Sequence, residues 1–160
     1  MKKWWLTLTA ALLVFIGWGA WYIYDSNRVV SIHAADQAVT KARSHYAIGK
    51  VEDVTSYYGS NAYQVIKALR NGRRVYVWVP ESGEKAPMFM RTANQGISRS
   101  HALAIFSTMH FNVQRVVSVR LGAINATPVW QVTFVAPNHT YNYIALNFSN
   151  GREVQRILNI

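Results

Sequence analysis

Apolar and polar positions along this 160-residue chain form one unbroken apolar run, two helical stripes and a series of alternating segments. The run is Trp4–Tyr24, WWLTLTAALLVFIGWGAWYIY, without charge or proline. As a helix rising roughly 1.5 Å per residue it reaches about 31 Å, the thickness of a bilayer core. It is longer than the apolar part of a secretory leader, and bulky Trp18 disfavours cleavage after Ala20. An uncleaved, single-pass transmembrane anchor over residues 4–24 is therefore predicted. Trp4 and Trp5 at one end, and Trp18 and Trp21 at the other, suit the two headgroup layers, where an amphipathic ring is half wet. Lys2 and Lys3 precede the run, so residues 1–3 read as a cytoplasmic tail and the remainder as lying outside the cell membrane.

Beyond the run, Ala35, Ala38, Val39, Ala42 and Tyr46 recur at helical steps, which predicts a helix over Ser31–Tyr46 with Ser31 as its cap. Strands are predicted at Val51–Tyr58, Ala62–Leu69 and Arg73–Pro80, and Met88-Phe89-Met90 could supply a fourth. Asn71-Gly72 is a hairpin signal, because both residues tolerate positive φ. Within Arg73–Pro80, Val75, Val77 and Val79 alternate with Arg74, Tyr76 and Trp78, giving one aliphatic and one largely aromatic face.

The same order then returns. A helix is predicted from Ser98 to near His110, followed by strands at Val113–Leu121, Pro128–Ala136 and Tyr141–Phe148 and a last short run at Val154–Leu158. Local likenesses support a repeat: Val51 and Val54 against Val113 and Val116, and Tyr63-Gln64-Val65 against Trp130-Gln131-Val132. The expected fold class is α+β, an anchor followed by two tandem units over 29–91 and 92–160. Each is a helix packed on an antiparallel sheet of three to four strands. Units of this size hold marginal cores, so the two are expected to lean on one another.

Charge narrows the function classes. Lys2 and Lys3 aside, fifteen basic side chains stand against seven acidic ones, a formal +8. Such a surface attracts polyanions, here anionic wall polymers or lipid headgroups; no nucleic-acid motif is present. Arg70, Arg73 and Arg74 around the Asn71-Gly72 turn form the densest basic cluster and the first candidate anion contact. Tyr76 and Trp78 are candidate partner contacts, the alternative being burial beneath the unit's own helix.

Chemistry that would make an enzyme is not found in the sequence. Cysteine is absent, the five histidines have no metal-ligand spacing, and the carboxylates fall at predicted turns and element ends. There is no glycine-rich phosphate loop or nucleophile elbow. The reading is a protein without catalytic residues, cofactor or metal.

Val75-Tyr76-Val77-Trp78-Val79-Pro80, Gly96-Ile97-Ser98, Trp130-Gln131-Val132-Thr133 and Asn150-Gly151-Arg152 resemble the TseB (YpmB-type) cell-wall elongation regulators over nearly the whole chain. That resemblance implies tandem PepSY-like, or cystatin-like, domains. It also implies regulation of lateral wall synthesis through a class B penicillin-binding protein, without catalysis. This chain departs from the family pattern in its strong basicity and in lacking an acidic residue within Tyr141–Asn150. The alternative for the same fold is a PepSY-type inhibitor or modulator of an exported protease.

Overall fold

The computed structural model describes residues 2–81 and 85–160, with side chains described at 12–19, 21, 32–81 and 85–160. The chain divides into two compact units, Met1–Asp36 and Gln37–Ile160. Helix α1 is Lys2–Tyr46. The helix predicted to begin at Ser31 therefore has no start there: its backbone continues from the residues before it. Serine favours a cap but does not stop a helix, and between Tyr24 and Ser31 there is neither glycine nor proline to do so.

In the first unit, Leu13, Val14, Phe15, Trp18 and Trp21 are exposed. Among the described residues no helix is long and apolar enough to cross a membrane. Most side chains of the predicted span over 4–24, those of Trp4 and Trp5 included, lie outside the described residues, as do those of Lys2 and Lys3.

The second unit holds two antiparallel sheets, each with its strands in chain order. The first comprises β1 (Val51–Tyr58), β2 (Ala62–Arg70), β3 (Arg73–Pro80) and β4 (Phe89–Thr92). A 3-10 turn at Ala93–Gln95 leads to helix α2 (Arg99–Thr108), capped by the Ser98 side chain, which accepts from the His101 N–H at 3.1 Å. The second sheet comprises β5 (Arg115–Ile124), β6 (Thr127–Val135), β7 (Tyr141–Asn147) and β8 (Glu153–Ile157). At Asn71-Gly72 both φ angles are positive, 50° and 73°, as the hairpin signal requires. Beyond the strand end predicted at Leu121, the β5–β6 hairpin continues through Ile124 to a tight turn at Asn125-Ala126, again with both φ angles positive.

The α+β class and the doubled order of elements hold, and the two halves share a further irregularity. A bulge interrupts β1 between Val51 and Asp53, and another interrupts β5 between Val116 and Ser118. The likeness of Tyr63-Gln64-Val65 to Trp130-Gln131-Val132, however, pairs residues on opposite faces. Tyr63 and Val65 lie on the aromatic face of the first sheet, away from the end of α1, whereas Trp130 and Val132 lie on the face that α2 covers. Side chains alternate with period two, so a one-residue offset reverses every face.

Two cores result. Ala38 and Ala42, one helical turn apart, let the end of α1 approach the aliphatic face of the first sheet, against Ile66, Ala68, Val75, Val77 and Val79. The opposite face presents Tyr57, Tyr63, Val65, Tyr76 and Trp78 to a second core that also takes in α2 and one face of the second sheet, through Phe106, Leu121, Trp130, Phe134 and Phe148. The two sheets therefore share a core, as their sizes demand.

Candidate functional site

Trp78 has no exposed surface, so it is not a surface contact for a partner. Burial beneath the unit's own helix does not describe it either. The α1 end takes the aliphatic face, and Trp78 is sealed by residues of the second half: its indole N–H donates to the Gly122 carbonyl at 2.9 Å, and its ring meets Phe148 at 6.0 Å between centroids. Phe89 stacks on it at 4.9 Å. Tyr76, also against Phe148, stays half-buried and borders a cavity.

The arginine cluster is unevenly committed. Arg70 pairs in register with Arg73 across the turn. Arg74 donates twice to the Glu52 carboxylate, at 2.8 and 3.1 Å, and the Lys67 ammonium approaches the same carboxylate at 3.2 Å. The β1 bulge falls at Glu52, which these two neighbouring strands reach; the Arg74 hydrogen bonds, then those of Lys67, hold its pKa down to about 2. Arg70 Nε is buried without a hydrogen-bond partner. Arg73 is the member of the cluster that is exposed and outside any ion pair among the described residues.

Where the sheets meet, a cavity of about 250 Å³ opens between β1–β3 on one side and β5, β6 and the start of α2 on the other. Its wall mixes apolar Val65, Leu121 and Trp130 with three cations, Lys67, Arg99 and Arg120, and one carboxylate, Asp53. The Arg99 Nε–H donates to the Val119 carbonyl at 3.3 Å, tying the first residue of α2 to β5. Trp130 is fixed likewise, donating to the Ile97 carbonyl at 2.9 Å. Neither Arg99 nor Arg120 has a carboxylate partner among the described residues. The sequence signal for this site was slight: Arg120 is a single cation between apolar Val119 and Leu121, and Arg99 directly follows the Ser98 cap.

A second, shallower concavity of about 560 Å³ lies on the face of the second sheet that α2 leaves open, lined by Tyr57, Tyr58, Gln131, Tyr143 and Gln155 among others. The Tyr57 hydroxyl donates to Gln131 Oε1 at 3.0 Å, and burial raises its pKa. No group of three His, Asp or Glu side chains is gathered for a metal among the described residues.

Residues 37–80, the end of α1 with β1, β2 and β3, match the model of the cell wall elongation regulator TseB-like domain. The fold is similar to that of a solved structure, the YpmB protein from Bacillus subtilis, with a TM-score of 0.69 and 26% identity, over 76% of this chain and 94% of that one. The chain is similar to the TseB/YpmB type in these residues and in fold. No curated protein matches it. The TseB-like match covers the strand pair carrying the arginine cluster and the β3 face that forms the inter-sheet core, together with Lys67, Tyr76 and Asp53 of the cavity wall. Arg99 and Arg120 lie beyond it.

Proposed function

We propose that this TseB/YpmB-type chain regulates cell-wall elongation as an accessory protein, without catalysis, by binding a class B penicillin-binding protein at the outer face of the cell membrane. The observation that carries the reading is the match of residues 37–80 to the TseB-like domain. The uncharged Trp4–Tyr24 run supports a single-pass anchor with the second unit outside. Anchoring both partners in one membrane raises their effective concentration, so a small contact suffices.

The test is crosslinking in intact cells with the full-length chain. Recovery of a class B penicillin-binding protein, with altered cell width or wall turnover in cells lacking the chain, is the expected result. Normal shape and turnover together with no such crosslink would refute the proposal.

A further inference from the structure

The inter-sheet cavity has the chemistry of a receptor for an acidic peptide. Its three cations and one carboxylate leave it net positive. Lys67 is partly engaged by Glu52, whereas Arg99 and Arg120 have no carboxylate partner among the described residues. Arg99 is held by its bond to Val119, so part of the cost of ordering it has already been met in the unbound protein. Beside these cations stand Tyr76 and Trp130, whose surroundings fix them.

We infer that this cavity binds an acidic peptide segment, one carboxylate side chain reaching Arg99 and Arg120 and an adjacent apolar side chain lying against Tyr76 and Trp130. A volume of about 250 Å³ accepts one or two side chains and no folded element. Arginine is suited to the carboxylate because its planar fork matches it in two-point geometry. A polyphosphate wall polymer fits less well, because the apolar wall of Val65, Leu121 and Trp130 would gain nothing from it. The inference deepens the protein-binding reading above, on which the identity of the segment's owner rests, by giving the partner's contact its charge and size.

The binding step is tested on the full-length chain in neutral detergent micelles, following backbone amide resonances during titration with acetyl-Glu-Leu-Glu-Phe-amide. Shifts confined to the neighbourhoods of Lys67, Tyr76, Arg99 and Arg120 are expected. Arg120→Gln, at an exposed position, should weaken the affinity about tenfold, as loss of a charge-assisted bond does. Equal binding of the neutral acetyl-Gln-Leu-Gln-Phe-amide overturns the inference, as does a titration without shifts in the cavity. A glycerol phosphate polymer that shifts the same amides and displaces the peptide overturns it in favour of a polymer site. In cells, a penicillin-binding-protein crosslink that survives Arg120→Gln together with Arg99→Gln refutes the cavity as the contact and leaves the proposed function standing. A crosslink missing from the unaltered chain, with normal shape and wall turnover in cells lacking it, refutes that function, and the titration still decides the cavity.

Discussion

The Trp78 indole donates to the main-chain carbonyl of Gly122 at 2.9 Å, a buried bond from β3 of the first sheet to β5 of the second. Gly122 is also where the Tyr57 ring lies: a Cβ built there would come within 2.3 Å of it. One residue without a side chain thus accepts an indole and admits a phenol ring. Gly122→Ala should destabilise the second unit by about 1–3 kcal/mol, the usual cost of overpacking. Trp78→Phe should cost about 2–4 kcal/mol, from lost volume and an unsatisfied carbonyl. Urea unfolding followed by circular dichroism measures both, and a midpoint unchanged in either variant contradicts the role given to this contact.

Glu52 makes stability depend on acid pH. Its folded-state pKa, about 2, lies below the ordinary 4.5, so its contribution is complete above about 4.5 and is lost as pH falls toward 2. Glu52→Gln should lower the unfolding midpoint at neutral pH, and the gap from the unaltered chain should close at the acid end of that window. The carboxylate is solvated enough that the neutral-pH gap should also shrink in high salt. A gap constant across the window would mean that another group carries the acid dependence.

Within the arginine cluster, substitutions should separate. Arg73→Gln is expected to leave the thermal midpoint unchanged, because the side chain is exposed and outside any ion pair among the described residues. Arg74→Gln should lower it slightly by removing the two bonds to Glu52. Retention on an anionic polymer should fall more with Arg73→Gln than with Arg74→Gln, since Glu52 already offsets the Arg74 charge. Differential scanning fluorimetry and salt-gradient elution provide the two readouts; equal loss of retention in the two variants would remove the distinction.

Tyr57 supplies an alkaline counterpart. Burial raises its pKa, so the stability tied to its neutral form is complete below the ordinary value of 10.0 and is lost as pH rises through the folded-state value. Tyr57→Phe should cost roughly 0.5–1.5 kcal/mol at neutral pH for the bond to Gln131. It should also flatten the alkaline decline, as measured by denaturant midpoints across that range.

Much of the fold was legible because its signals are local. The alternation in Arg73–Pro80 marked two buried faces, and Asn71-Gly72 marked the hairpin. Alternation shows that a face is covered and cannot show by what, which is why the pattern leaves Trp78 to the helix or to a partner, whereas Gly122 and Phe148 of the second half seal it. The cavity was illegible for the same reason. Lys67, Arg99 and Arg120 lie far apart in sequence and are gathered only when the sheets pack. The Glu52 ion pairs depend on a bulge, which leaves no mark in the period-two pattern.

The 44 residues separating Trp78 from Gly122 are also a delay. A ribosome adding about 5–20 residues per second takes roughly 2–9 s to pass from one to the other. Throughout that interval β3 has been made and the strand that closes over its aromatic face has not. The first sheet must wait with a tryptophan and three tyrosines uncovered, a surface on which an unwanted neighbour could settle first. Premature termination between the two positions would make that wait permanent, so truncated chains ending before β5 should be caught by chaperones or proteases rather than accumulate as a working half.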